Sequence, residues 1–296
     1  MPRLTPSLLI LVASAASAAP AAAAQQPPAP ADQSPIVVTG TKTGKDGVRN
    51  FVRDLTPLGA GGQLSRFEDK VCPFVTGLVP TQNAAVAERI RQVARAAGIG
   101  VAPAKCAANV VLIIPSDKRA VLEELRRRHV DYFGDLSGNQ IRAVIHNPAP
   151  IDAWQIQGIA VSQDGKELTQ RNGVWQNRTT ARGSRLVASA RPQFAASVVV
   201  VAFDALDGLT LNQLADYVTL RALTGADPAR LRRPGPPTIL SVFDAPFGTA
   251  VPVTMTDWDF KFLRGYYDAR RTTSAAAQRS AIARTISDGG QPQPGE

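Results

Sequence analysis

Two pairs of neighbouring acids carry side chains of the type that acid–base catalysis uses, Asp204 with Asp207 and Asp257 with Asp259, although catalysis also needs a cleft and a fixed separation that only the fold can supply. A hydrolase employs one carboxyl group as an acid and another as a base or nucleophile. A further acid, Asp216, falls between the two pairs. One enzymatic alternative therefore stays open, a hydrolase that uses Asp204, Asp207 or Asp216 at a site that no sequence motif marks.

The paired acids also lie where helices are expected to begin. Asp204 and Asp207 precede a predicted helix, and negative charge is stabilised near the start of a helix by the helix dipole. Thr256–Asp259 and Thr210–Gln213 each approximate a capping box, in which the first and fourth residues bond to each other's backbone N–H groups. We therefore interpret these positions as helix caps rather than catalytic groups.

Zinc catalysis needs a ligand spacing that this chain lacks. Its two histidines, His129 and His146, lie on different predicted elements, and no H-E-x-x-H sequence is present. There is also no G-x-S-x-G sequence, which excludes the nucleophile elbow of an α/β-hydrolase. His129 follows a basic helix, where an imidazole can stabilise the C-terminal end. We expect neither a metal site nor a cofactor.

Aromatic residues crowd one short predicted helix that contains Trp258, Tyr266 and Tyr267. Trp258 and Phe262 are four residues apart, so they share one helical face. Burial of that face in the core is the interpretation that we favour. The alternative is that Trp258, Tyr266 and Tyr267 form a platform that binds a carbohydrate or a peptide.

The chain has two cysteines, Cys72 and Cys106. In an exported chain an even pair predicts a disulfide, whose closed loop would stabilise the fold by about 3–4 kcal/mol. The alternative, a redox or metal-binding pair, lacks the C-x-x-C spacing and a nearby histidine.

The first residues predict export from the cytoplasm. Arg3 and the apolar run Leu8–Ala13 fit a signal peptide over residues 1–24, with cleavage after Ala24 or, as the alternative, after Ala18. The following Pro-, Ala- and Gln-rich residues 25–34 predict a flexible leader. We expect a periplasmic or secreted protein with no transmembrane segment in the mature chain.

The charge balance favours an anionic partner. Lys plus Arg total 33 against 24 Asp plus Glu, a net charge of +9. The basic clusters Arg126–Arg128 and Arg230–Arg233 are brief and contain no interleaved aromatic residues. We therefore expect an anionic cell-surface polymer or another envelope protein as the partner, and no nucleic acid.

The elements that must position these residues alternate between helix and strand. Amphipathic helices are predicted at Asn83–Ala97 and Lys118–Arg128, and a further helix begins at Thr210. The apolar, β-branched runs Asn109–Ile114 and Ser197–Phe203 predict strands that are covered on both faces. This order indicates the α+β class, with a mixed sheet packed against amphipathic helices.

The remaining segments complete one predicted domain over residues 35–271. Weaker patterns indicate strands at Ile141–Ile145 and Trp154–Ser162, whereas the polar stretch Gln170–Gly183 is expected to be a loop. Residues 272–296 are interpreted as an Ala-rich segment, helical in part, and a disordered tail.

The order of parts from Ser197 to Tyr267 resembles the second half of a matrixin-type zincin metallopeptidase. Tyr217–Gly225 occupies the position of that family's zinc-binding helix and glycine turn. Thr238–Phe243 resembles the short strand that follows, and Met255–Tyr267 resembles the closing helix. The resemblance implies a zincin-like scaffold. The complete chain is also similar to small exported bacterial proteins of unassigned function.

The residues that give zincins their activity are replaced here. Tyr217 and Arg221 stand at the two histidine positions, and Val218 stands at the glutamate position. None of these side chains can hold zinc or activate water in the manner of that family. The sequence thus predicts a pseudoenzyme: a non-catalytic envelope protein that binds a partner or an anionic polymer, with the hydrolase as the alternative.

Overall fold

The computed structural model describes residues 44–57, 62–179, 184, 187–232, 235–246 and 248–288. The signal peptide and leader predicted over residues 1–34 lie outside this part of the chain. The described helices are α1 (Lys45–Leu55), α2 (Pro80–Ala96), α3 (Lys118–Arg128), α4 (Gly138–Ile145), α5 (Leu211–Thr224), α6 (Asp257–Asp268) and α7 (Ala275–Ser287). The described strands are β1 (Pro73–Thr76), β2 (Val110–Ile113), β3 (Ile151–Gln157), β4 (Val161–Ser162), β5 (Thr169–Arg171), β6 (Val174–Gln176), β7 (Ala190–Arg191) and β8 (Phe194–Val201).

The main sheet is mixed and has the strand order β1-β2-β8-β3. The strands β1, β2 and β8 run parallel, whereas β3 lies antiparallel to β8 at the edge. Val198–Val201 of β8 are fully buried, as their unbroken apolar sequence predicts. The α+β class and the mixed sheet packed against helices are confirmed.

The larger core lies on the face of the sheet that is covered by α1, α2, α5, α6 and α7. Val199 and Val201 point into this core, whereas Val198 and Val200 point to the opposite face. On that second face a smaller core forms beneath α3 and α4, where Trp154 stacks on Phe133 with ring centroids 5.3 Å apart.

The larger core extends beyond Arg271, because α7 belongs to it. Ile282 and Ile286 of this helix are buried there. Gly265 of α6 allows the close approach of the two helices, since a Cβ at that position would lie 3.1 Å from the Cβ of Thr285. The fold therefore extends through the Ala-rich segment that was predicted to be helical in part.

Two short apolar segments that were predicted as strands are helical. Ile141–Ile145 falls in α4, where Ser137 and Gln140 form a capping box and Ile141 and Ile145 face the same core. Within Thr238–Phe243 a single 3₁₀ turn forms at Ile239–Ser241, because the Thr238 hydroxyl accepts a hydrogen bond from the Leu240 N–H and caps it.

A hairpin replaces part of the loop that was predicted at Gln170–Gly183. The strands β5 and β6 pair antiparallel around Asn172 and Gly173, both of which have positive φ. Asn-Gly is the favoured dipeptide for this two-residue turn.

The predicted disulfide is confirmed. Cys72 and Cys106 are bonded with their Cα atoms 6.0 Å apart, which ties the start of β1 to the loop before β2. Among the described residues, no helix has the length and apolar content needed to cross a membrane.

Candidate functional site

A polar cleft of about 850 Å³ lies between β3 and the C-terminal half of α5. One side is formed by Asn147 and the strand residues Ile151–Gln155. The other side is formed by Tyr217 and Arg221 of α5 and by the following segment Gly225–Arg230, with Phe243 and Asp244 completing the lining.

The cleft meets β3 along its unpaired edge. Five consecutive residues line the cleft, whereas a cleft on a face of the sheet would touch alternate residues. The carbonyl oxygen of Pro150 accepts a hydrogen bond from the Ala202 N–H at 2.9 Å, which sets the register with β8. By the alternation of an antiparallel ladder, the backbone groups of Ile151, Ala153 and Gln155 then face the cleft. Within the described residues no other strand covers this edge.

Tyr217 and Arg221 lie one helical turn apart where α5 meets the cleft. Arg221 Nη1 donates a hydrogen bond to Tyr217 Oη at 2.9 Å, and the guanidinium carbon lies 5.7 Å from the centre of the tyrosine ring. Phe243 packs edge-on against the same ring, with a centroid distance of 4.7 Å. Burial raises the pKa of Tyr217, so the phenol stays neutral and serves as a packed hydrogen-bonding group.

The end of α5 is fitted against the edge strand. Gln155 Nε2 donates to the carbonyl oxygen of Arg221 at 3.0 Å, and the same oxygen accepts a hydrogen bond from the Gly225 N–H at 3.0 Å. Gly225 ends the helix with φ of +68°, and a Cβ at Gly225 would lie 3.0 Å from Gln155 Oε1. Glycine at this position therefore serves both the helix termination and the close approach to β3.

The entrance to β3 is held by a partly buried lysine. Lys118 Nζ donates to the carbonyl oxygens of Asn147 and Ala149 and to Asp152 Oδ2, the last at 2.6 Å. Asn147 Nδ2 donates to Asp152 Oδ1 at 2.7 Å. Both oxygens of the Asp152 carboxylate are therefore hydrogen-bonded, and this side chain holds the strand in place.

The charged groups of the cleft have both signs. Arg221 and Arg230 line it together with Asp227 and Asp244. The Asp227 carboxylate accepts a hydrogen bond from the Ala229 N–H at 3.1 Å and so caps the turn that follows. The cleft thus suits a polar ligand that carries both donors and acceptors.

No cluster of three or more His, Cys, Asp or Glu side chains able to hold a metal ion occurs in the described ranges. His129 follows the last residue of α3, as predicted, and His146 follows the last residue of α4. Both side chains are exposed.

The residues of the alternative aromatic platform on α6 pack in the core, Trp258 and Tyr266, or against it, Tyr267. Trp258 and Tyr266 are buried, and Trp258 packs edge-on against Phe51. The hydroxyl groups of Tyr266 and Tyr267 donate to the carbonyl oxygens of Ser65 and Leu223, and burial raises the pKa of both phenols. These residues therefore pack in the core, which is the interpretation that the sequence favoured.

The acids of the hydrolase alternative are not gathered into one buried site. Asp216 is completely buried in an ion pair with Arg89, whereas Asp204 and Asp207 are exposed and line a separate, shallow pocket of about 370 Å³. Asp259 caps α6 as predicted, and burial raises the pKa of its carboxyl group against the opposing effect of its hydrogen bonds.

Sequence patterns alone did not reveal the free edge of β3. The available signal is Pro150, because proline is confined to edge strands or to the first residue of a strand. It stands directly before Ile151, so it marks the strand start that was predicted three residues too late, at Trp154.

Comparison of the chain with protein-family models, with curated proteins and with solved structures finds no match.

Proposed function

We propose that this protein is a non-catalytic binding protein whose cleft takes up an extended polypeptide segment as an additional strand on β3. The observation that carries the proposal is the row of outward-facing backbone groups at Ile151, Ala153 and Gln155 beside a cleft of about 850 Å³. Exposed sheet edges bind extended peptides through main-chain hydrogen bonds, while adjacent pockets select side chains.

The mixed charge of the cleft favours a polypeptide over an anionic polymer. Arg221 and Arg230 can bind carboxylate groups, but Asp227 and Asp244 line the same cleft. A uniformly anionic polymer would meet repulsion from these two acids, whereas a peptide can present opposite charges at different positions. The partner that we propose is therefore an extended segment of another envelope protein.

We also propose that the scaffold is a degenerate zincin. Three features support this: α5 ends at a left-handed glycine, Phe243 of the following segment packs on Tyr217, and α6 begins with a capping box. Tyr217 and Arg221 occupy the side of α5 on which such an enzyme would bind zinc. A tyrosine–arginine pair supports ligand contacts there and offers no zinc-activated water.

An exported location fits the same proposal. The Cys72–Cys106 disulfide is the kind of bond that persists in oxidising compartments. The apolar run Leu8–Ala13 supports a cleaved signal peptide. A binding protein in the periplasm or outside the cell would meet its partner there.

Selection from a phage-displayed library of random linear peptides tests the proposal. Ala153→Pro removes an N–H group that faces the cleft and leaves the bonds to β8 intact, so we expect about tenfold weaker binding of a selected peptide. Ala153→Ser, which keeps the N–H group, should bind like the wild type. Fluorescence anisotropy measures the dissociation constants.

Two outcomes would contradict the proposal. Equal peptide binding by the Ala153→Pro and Ala153→Ser variants would exclude pairing on the edge of β3. Cleavage of the selected peptide, detected by mass spectrometry and abolished by Asp204→Asn or Asp207→Asn, would establish the hydrolase alternative instead.

A further inference from the structure

The β5–β6 hairpin projects beyond the residues that attach it to the fold. At its base, the Leu168 N–H donates to the carbonyl oxygen of Ala160 at 2.9 Å, and Asn177 Nδ2 donates to the carbonyl oxygen of Ser189 at 2.7 Å. Every residue from 169 to 175 is exposed. The hairpin is therefore well anchored at one end and open to its surroundings at the other.

The projecting end carries two large apolar side chains. Val174 is 62% exposed and Trp175 is 51% exposed. The sequence contains three tryptophans. Trp175 is exposed, whereas Trp154 and Trp258 are buried in the two cores. Exposure of this much apolar surface on a short hairpin is unfavourable in water.

The two apolar side chains point to opposite faces of the hairpin. Trp175 lies opposite Gln170 in the ladder, whereas Val174 lies opposite Arg171. Successive residues of a strand alternate between the faces, so a partner that covers one face would leave the other side chain in water. Insertion of the hairpin tip into an apolar layer buries both.

Positive charge lies next to the apolar tip, at Arg171, and beyond the base of the hairpin, at Arg178. Arg171 and Arg178 are exposed, and no acidic residue lies between Thr169 and Thr179. The entire chain has a net charge of +9, so it is attracted to anionic surfaces as a whole.

We propose that the β5–β6 hairpin docks the protein on an anionic lipid bilayer. Trp175 and Val174 enter the boundary between headgroups and acyl chains, the depth that tryptophan prefers, and Arg171 and Arg178 bind lipid phosphates. This inference does not depend on the polypeptide-binding function of the cleft.

Trp175 lies on the hairpin itself, so its fluorescence reports whether the hairpin enters a membrane. Vesicles of phosphatidylcholine alone are compared with vesicles of equal parts phosphatidylcholine and phosphatidylglycerol. With the anionic vesicles we expect tryptophan emission to shift to shorter wavelength and to be quenched by brominated acyl chains. The buried Trp154 and Trp258 contribute a constant background.

Variants separate the apolar and electrostatic contributions. In vesicle co-sedimentation, R171Q with R178Q is expected to lower partitioning about 25-fold while keeping Trp175 as the reporter. V174S with W175S is expected to lower it about tenfold or more. The control Val253→Ser removes an equally exposed valine outside the hairpin and should partition like the wild type. The apolar residues 8–13 are common to all variants and cannot produce a difference between them.

Two results would overturn the proposal. One is unchanged emission with anionic vesicles together with equal partitioning of all variants. The other is an emission shift that occurs without vesicles and grows with protein concentration, because this would make a second copy of the chain the occupant of the hairpin tip.

Discussion

Asp216 illustrates at the residue scale how a charge can be buried for structure rather than catalysis. Its carboxylate accepts hydrogen bonds from Arg89 Nε at 2.8 Å, from the Thr254 hydroxyl at 2.5 Å and from the Met255 N–H at 2.8 Å. These contacts join α5 to α2 and to the segment before α6. Full compensation of this kind is what allows a charge to remain inside a core.

Removal of this carboxylate should be costly. Asp216→Ala leaves the Arg89 guanidinium without its partner, so we expect the free energy of unfolding to fall by about 3–5 kcal/mol. Asp216→Asn should cost less, because its amide oxygen can still accept from Thr254 and Met255. Urea denaturation followed by circular dichroism measures both.

Asp204→Asn provides the matched control for this comparison. Asp204 is exposed, so its substitution should change the free energy of unfolding by less than about 0.5 kcal/mol. Equal stability of the Asp204→Asn and Asp216→Ala variants would show that the buried ion pair does not stabilise the fold.

At the scale of elements, the junction between α5 and β3 shapes the proposed peptide-binding edge. The helix ends at Gly225, and Gln155 reaches from the strand to the last turn of the helix. This hydrogen bond therefore connects the edge strand to the helix that carries Tyr217 and Arg221. This junction links local helix termination to the geometry of the cleft.

Gly225→Ala should disturb this junction in two ways. The left-handed conformation costs an alanine about 1–2 kcal/mol, and the new methyl group would contact Gln155 Oε1. Gly98→Ala is the control, because Gly98 also follows a helix at φ of +78° but has no atom within 4 Å of a built Cβ. Thermal unfolding should show the larger loss for Gly225→Ala, and peptide binding should weaken in that variant alone. Equal effects of the two substitutions would indicate that Gln155 moves aside freely.

At the scale of the molecule, the final helix closes the larger core. Ile282 of α7 is fully buried, and Gln278 accepts a hydrogen bond from the Leu64 N–H at 2.8 Å, over 214 positions of sequence. Arg66 is also buried, and it donates to three carbonyl oxygens at the end of α6. Desolvation lowers the pKa of Arg66 to about 10, which leaves it cationic at neutral pH.

A chain that ends at Arg271 should therefore fail to fold cooperatively. It would expose the apolar surface that α7 covers, and it would leave the Leu64 N–H without its acceptor. A chain that ends at Asp288 is the control and should melt like the complete chain. Calorimetry distinguishes the two, and a cooperative transition in the shorter chain would exclude an essential role for α7.

Much of the fold could be predicted because its signals are local or pairwise. The buried strand β8, the helix α3 and the capping boxes at Thr210 and Thr256 follow from short patterns of residue type. The Cys72–Cys106 disulfide likewise follows from the even number of cysteines and from the predicted export of the chain. Short apolar runs were misassigned, since Ile141 and Ile145 satisfy a helical period as readily as a strand.

The sequence by itself determined the fold class and the disulfide. Only the tertiary structure decided that Trp258 and Tyr266 face the core and that Ile151–Gln155 form a free edge beside α5. The reason is physical: residue type sets local preference and burial tendency, whereas the strand left at the edge depends on the packing of segments far apart in the chain.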